Sequence, residues 1–287
     1  MVVYKKSSYQ LYVNEGRNSV IAELIARRDP TVRSLRSTHE THVRAVEKTR
    51  SVLKDLGVRA TFRHRHDLHA APRYELVITL GGDGTFLWAS HLVGPGSPIV
   101  AINTAPETSV GFFSAGNVDR LERVLSDAVE GRLPRTVLSR MIVRVDGTVI
   151  SRRVLNDALL CHSCPAATSR YLIRLGRKEE EHRSSGIWVG PAAGSTAAQR
   201  SAGGKVLPIS SKQIQFVVRE PYVPIGSRLR LARGTVSQGK KLVVRSKMHE
   251  ARLYIDGPRR MERIAFGATI ELSVSDEPLT MLGLRSR

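Results

Sequence analysis

The chain is short of cysteine, of aromatic residues and of acid. Two cysteines in 287 residues exclude a disulfide framework. They stand together in Cys161-His162-Ser163-Cys164. One such pair has neither the ligand count of a zinc site nor a thioredoxin-like setting, so it reads as two reduced thiols with no metal. Aromatics make up 5% of the chain and do not interleave with Lys and Arg along a helix face, which argues against a nucleic-acid partner. Asp and Glu number 26 against 45 Lys and Arg, for a net charge of +19. The excess cations never form a block of five, and they suit attraction of a small anionic ligand. The Arg-rich stretch 27–50 reads as a solvated helix rather than a flap. No signal-peptide core follows Met1. The charge-free stretch 84–106 is broken by Gly94, Pro95, Gly96 and Pro98, so it does not read as a spanning helix. A cytoplasmic protein with no membrane partner is expected. Internal repeats are absent, and so is any Gly-x-x-x-x-Gly-Lys-Ser/Thr loop.

What the chain does have is a change of hydrophobic rhythm near residue 135. Before it, residues 2–4 form a short apolar strand. Val43, Val46, Leu53 and Leu56 recur at near-helical spacing over 40–56, and Gly57 is a natural stop. Residues 58–62 read as a strand. Residues 76–80 form a continuous apolar run, the mark of a parallel strand buried on both faces. Helices are expected over 85–92 and 118–129, the second capped by Asn117, with a strand over 98–103 between them. This alternation predicts a doubly wound, Rossmann-like α/β domain over residues 1–135. After it come short strands punctuated by Gly and Pro: 137–145, the turn Asp146-Gly147, 148–160, 171–175, 187–189, 213–218, 228–231, 242–245, 253–255 and 269–274. They predict an antiparallel, sandwich-like all-β domain over 136–265. Residues 266–287 are expected as a C-terminal segment packing back on the first domain.

Three motifs carry chemistry. Gly81-Gly82-Asp83-Gly84-Thr85 lies between the buried strand and a helix. There glycine lets backbone approach a phosphate, and the helix start offers free N–H groups and a positive dipole end. A carboxylate would repel a phosphate, so Asp83 makes sense if it binds the hydroxyl that attacks one. Standing alone, the turn equally fits a tight connection in which Asp83 only caps the helix. The second motif, Gly194-Ser195-Thr196-Ala197-Ala198-Gln199-Arg200-Ser201-Ala202-Gly203-Gly204, has side chains small enough to lie against a flat ligand, or to form a packed loop. The third, Asn156-Asp157, puts two polar residues inside an apolar strand, which is costly unless they are satisfied. A ribose would satisfy both, and so would a β-bulge or an Asx turn.

Together and in this order the motifs resemble the NAD kinase family, over nearly the whole chain. Residues 102–109, Arg183-Ser184-Ser185-Gly186 and Val218-Arg219-Glu220-Pro221 look closest to its mitochondrial-type branch and the bacterial relatives of that branch. The resemblance implies transfer of a phosphoryl group from ATP, or another triphosphate or polyphosphate, to the adenosine 2′-hydroxyl of NAD. It implies magnesium with the donor and a homodimer or larger assembly. Asp83 falls on the catalytic carboxylate; Gly82, Gly84 and Thr85 are its binding neighbours. Phe112 falls on the aromatic lining the NAD pocket. Asn156 and Asp157 fall on the adenosine-holding pair, Arg183 and Ser185 on ligand-contacting positions, and Ser195, Thr196, Ala197 and Ser201 on the segment around adenine. The family's usual Glu is Asp157 here, its Asp is Ser185, its Tyr is Ala198, and Lys205 replaces a proline. All four departures touch the dinucleotide pocket rather than the transfer centre. Other expectations are a lipid or sphingoid kinase sharing the Gly-Gly-Asp-Gly turn, or a sensor that binds dinucleotide without turnover.

Overall fold

The computed structural model describes residues 1–67 and 73–284. It divides into two compact units. One holds residues 1–136 and the stretch from Thr280; the other is Val137–Leu279.

The first unit is built on a parallel sheet. Its strands run in the order Phe62–His64, Val2–Tyr4, Val77–Gly81, Ile99–Asn103, Leu279–Leu282 and Arg135–Leu138, with Gly116–Asn117 also on Ile99–Asn103. The pairings from Phe62–His64 across to Leu279–Leu282 are parallel. Val77–Gly81 and Ile99–Asn103 are buried at every position, which is why they read as unbroken apolar runs. Helix Leu35–Asp55 buries His42, Ala45, Thr49 and Leu53, spaced three or four apart on one face. Helix Leu121–Val129 buries Leu121, Val124, Leu125 and Ala128. Both faces enter one core with Val2, Ile78, Leu80, Val100 and Ile102; full burial of each large aliphatic side chain stabilises by about 1.5–3 kcal/mol. The strand expected over 58–62 begins only at Phe62. The N–H groups of Gly57 and Val58 donate back to Lys54 (2.9 Å) and Leu53 (2.9 Å) and close the helix, so Val58 is committed to the helix end.

The chain leaves Val2–Tyr4 toward Phe62–His64 on one flank and returns as Val77–Gly81 on the other. The order reverses at Val2–Tyr4, and the crevice outside the carboxyl ends at such a reversal is where open α/β sheets bind ligands.

The second unit is all antiparallel. One six-stranded sheet runs Lys178–Ser184, Ser169–Leu175, Lys241–Ser246, Thr269–Val274, Met141–Val145, Thr148–Val154. The other runs Arg233–Ser237, Gln213–Val218, Ile187–Pro191, Ala158–His162, Ala251–Ile255, Arg260–Ile264. Tyr171, Ile173 and Leu272 from the first and Leu160, Ile187 and Phe216 from the second share one core, the arrangement of a β-sandwich. Strand Thr269–Val274 belongs to this sandwich, and among the described residues of the C-terminal segment only Leu279–Leu282 joins the parallel sheet.

Two expected strands are split. Residues 137–145 divide at the fully buried Arg140, whose Nε and Nη2 donate to the carbonyls of Glu277 (2.5 Å) and Pro278 (3.2 Å). Residues 148–160 divide at 155–157, for a reason given below. No strand forms over 228–231: the N–H groups of Arg230 and Leu231 donate to the Glu180 carboxylate at 2.9 and 2.7 Å, so a side chain takes donors that a ladder would need.

Candidate active site

In the first unit the Gly81–Thr85 turn leaves strand Val77–Gly81 at its carboxyl end and starts helix Asp83–Ser90. The turn is shaped by close approach. A Cβ on Gly81 would lie 2.4 Å from Thr85 Oγ1, and one on Gly82 2.4 Å from Ser109 Oγ. Gly84 differs: a Cβ there would meet nothing within 4 Å, so its backbone borders open space. Asp83 is the first helical residue, where the dipole favours a negative charge. Its carboxylate accepts the Phe112 N–H at Oδ2 and the Phe113 N–H at Oδ1, both at 3.0 Å. Each oxygen keeps lone-pair capacity for one more donor. The 104–115 loop that supplies these N–H groups is held by Asn103, which donates to Ser109 O (3.0 Å) and accepts from Ala105 N–H (3.0 Å). Phe113 stacks on Phe86 with centroids 4.7 Å apart, and half-buried Phe112 meets it edge-on at 5.0 Å. Thr85 is buried beneath the turn.

In the second unit Asn156 and Asp157 sit in a bend between Thr148–Val154 and Ala158–His162, not within one strand. The Asp256 carboxylate makes the bend: it accepts the N–H groups of Leu155 (2.9 Å), Asn156 (2.7 Å) and Asp157 (3.0 Å). Three successive donors pointing at one carboxylate cannot also serve a ladder. Asn156 Nδ2 donates to Asp157 Oδ2 at 2.9 Å. Burial first, and the charge of Asp256 second, push the Asp157 carboxyl up to about 7.

The small-residue segment packs on this bend. A Cβ on Gly190 would lie 2.3 Å, and one on Gly194 1.6 Å, from the Asn156 carbonyl oxygen. These glycines accommodate the protein's own backbone. The Ser195 hydroxyl is buried, donating to Ala192 O (2.7 Å) and accepting from Leu207 N–H (2.9 Å). Gln199 Nε2 reaches Asn156 O at 3.5 Å, and Gln215 links Gln199 to the backbone of Lys205. Thr196 and Ala197 are half-buried, and Ser201 is exposed on the short helix Ala198–Ser201.

The ATP-NAD kinase N-terminal domain model matches residues 11–133. A probable NADH kinase of Oryza sativa subsp. japonica is 34% identical over 260 residues, 83% of this chain and 80% of that one. The chain belongs to the NAD kinase family. An NADH kinase of Arabidopsis thaliana is 32% identical over 85% of this chain and 84% of its own. Among solved structures, an NAD kinase from Archaeoglobus fulgidus in complex with ATP superposes with a TM-score of 0.68 at 19% identity, covering 99% of this chain and 93% of that one. At that identity the likeness speaks for the fold.

The positions that the NAD kinase resemblance singled out fall into three groups. Asp83 and Phe112 meet through the Phe112 N–H. Asn156 and Asp157 meet the 190–199 segment. Arg183 and Ser185 stand apart from that pair. Ile187 pairs with Leu160, which sets Ser185 level with His162; five residues then separate it from Asp157 along the strand, about 17 Å. Arg183 is exposed, and the Ser185 hydroxyl donates to Glu220 Oε2. Asn103, Ser109, Gln199, Gln215 and Asp256 are not among the expected site residues, although Gln199 lies within the small-residue motif, Asn103 and Ser109 within 102–109, and Asp256 in the turn pair Asp256-Gly257. Among the described residues no group of three or more His, Cys, Asp or Glu side chains is placed to hold a metal ion, and none forms a helix long and apolar enough to cross a membrane. Asp83 offers one carboxylate, which suits Mg2+, an ion commonly held by one or two carboxylates and the phosphates of its substrate.

Proposed function

We propose that the chain transfers the terminal phosphoryl group of ATP, or of another triphosphate or polyphosphate, to the adenosine 2′-hydroxyl of NAD or NADH. The observation that carries this is the Asp83 carboxylate, oriented by the Phe112 and Phe113 N–H groups beside the open backbone of Gly84. The ribose oxygen attacks the terminal phosphorus, and the bond from that phosphorus to the bridging oxygen breaks. The nucleoside diphosphate, or the polyphosphate shortened by one phosphate, leaves, and Asp83 accepts the hydroxyl proton and passes it to solvent. Such transfer needs mainly positioning and charge stabilisation, with one group to orient or deprotonate the nucleophile. Asp83, together with oxygens of the triphosphate, would hold a magnesium ion, which would supply neutralisation of phosphate charge.

Gly82, Gly84 and Thr85 are assigned to the donor side of this site and Phe112 to the wall of the dinucleotide pocket. Asn156 and Asp157 are assigned to the adenosine, with Ser195, Thr196, Ala197 and Ser201 forming the segment around it. Arg183 and Ser185, roughly 17 Å along the strand from Asp157 in one chain, are assigned to the same kind of ligand held by a second copy. On that ground we assign a homodimer or larger assembly, which sedimentation velocity tests. The free thiols Cys161 and Cys164 suit the reducing cytoplasm.

The test crosses ATP and polyphosphate with NAD and NADH on the purified chain with magnesium. NADP or NADPH is expected from at least one combination. No product from all four contradicts the assignment.

A further inference from the structure

The carboxyl end of the parallel sheet carries a charge that the Gly81–Thr85 turn does not explain. Lys5 follows strand Val2–Tyr4. Tyr4 pairs with Leu80 on one flank and with His64 on the other. One step further along, Lys5 stands level with Gly81, on a strand about 4.8 Å away, and Arg65, the first residue of the turn after Phe62–His64, is close enough for its charge to act on Lys5. Lys5 and Arg65 are both half-buried. The next residue shows the contrast. Lys6 Nζ is matched by Glu15 Oε1 at 2.7 Å, whereas among the described residues no carboxylate pairs with Lys5. A half-buried ammonium beside a second cation is costly unless an anion joins it. Burial first, and Arg65 second, hold the Lys5 ammonium below the usual lysine range.

The fold nevertheless fixes Lys5 in place. Its carbonyl lies 2.7 Å from His42 Nε2, and His42 Nδ1 lies 2.8 Å from Thr104 Oγ1. A carbonyl only accepts, so Nε2 carries the proton and Nδ1 accepts from the Thr104 hydroxyl. Burial keeps this ring neutral by lowering its pKa to about 4. The Thr104 N–H donates in turn to Gly81 O at 3.3 Å. One run of hydrogen bonds thus joins the ends of Val2–Tyr4, Ile99–Asn103 and Val77–Gly81 through a histidine that takes no part in the phosphoryl-transfer chemistry.

We infer that Lys5 is a polyphosphate-binding residue, its ammonium taking a phosphate oxygen of the phosphoryl donor while His42 holds its backbone at the reversal of the sheet. That the polyphosphate belongs to a phosphoryl donor rests on the kinase reading; the anion site itself stands on the lysine's placement and its missing counter-charge.

Inorganic tripolyphosphate, titrated calorimetrically into the full chain, tests it. Wild type is compared with Lys5→Ala, Lys5→Arg and Lys6→Ala, and thermal melts confirm that each is folded. Lys5→Ala is expected to weaken binding about tenfold or more, as for loss of a charge-assisted contact, with Lys5→Arg retaining most of it and Lys6→Ala within about twofold. In turnover assays Lys5→Ala raises the donor KM and leaves the acceptor KM unchanged. Undetectable tripolyphosphate binding by wild type, or an unchanged affinity in folded Lys5→Ala, overturns the inference even where NADP forms normally. Lys5-dependent binding with no product from any donor and acceptor leaves the anion site standing and removes the kinase reading.

Discussion

Both halves of this molecule use backbone N–H groups to hold a carboxylate, and they hold different ones. In the parallel-sheet unit the gripped carboxylate is Asp83, the one assigned to chemistry, with the N–H groups of Phe112 and Phe113 on its two oxygens. In the sandwich the gripped carboxylate is Asp256, which takes three successive N–H groups while Asp157, the assigned ligand-binding acid, is buried beside it. The first arrangement orients an acid while leaving lone pairs for a substrate hydroxyl. The second uses one acid to shape the backbone that carries another, and its cost is a carboxyl pushed up to about 7. The glycines divide the same way: Gly84 borders open space, whereas Gly194 is filled by the Asn156 carbonyl.

Gly194→Ala attacks this comparison hardest. Its Cβ would lie 1.6 Å from a backbone oxygen, so we expect a loss of about 4 kcal/mol or more, or failure to fold, in urea titration. Asp256→Ala strips the acceptor from three N–H groups and is expected to cost about 3 kcal/mol by the same measurement, with dinucleotide affinity falling alongside. If Asp256→Ala is neutral, the bend is held by something else.

Asp157→Asn sharpens the contrast through pH. The folded carboxyl titrates near 7 against an ordinary 3.8, so the folded chain binds this proton more tightly than the unfolded one. That contribution favours folding at low pH and is lost as pH rises from about 4 through 7. The asparagine variant should match wild type to within about 1 kcal/mol near pH 4 and exceed its stability by about 4 kcal/mol at pH 8. An equal gain at both values would mean that Asp157 does not titrate there. Gly84→Ala has the smallest expected effect on the fold, within about 1 kcal/mol, yet it should cut turnover about tenfold because it crowds the approach to Asp83.

The parallel unit was legible because its signals are local. An unbroken apolar run, then glycines, then a helix start occupy residues 76–92, and the structure keeps that order within two residues. The hairpin turn Asp146-Gly147 is equally local, and both of its residues adopt positive φ. Strand Lys178–Ser184 was invisible since its inward positions are His182 and Ser184 rather than apolar residues. The bend at 155–157 reads as strand in the sequence because the group that breaks it, Asp256, lies about a hundred residues away. Ser109 and the Gln199–Gln215 pair were missed for the same reason: each acts on a partner brought to it only by folding.

The central claim is that Asp83 handles the proton of the attacking hydroxyl. Its most direct test is Asp83→Asn, assayed for NADP or NADPH formation at saturating donor, with dinucleotide binding measured on the same preparation. Turnover at least about a hundredfold lower, with binding largely unchanged, is the expected result. Turnover within a few-fold of wild type would contradict the assignment and return Asp83 to the role of a helix cap.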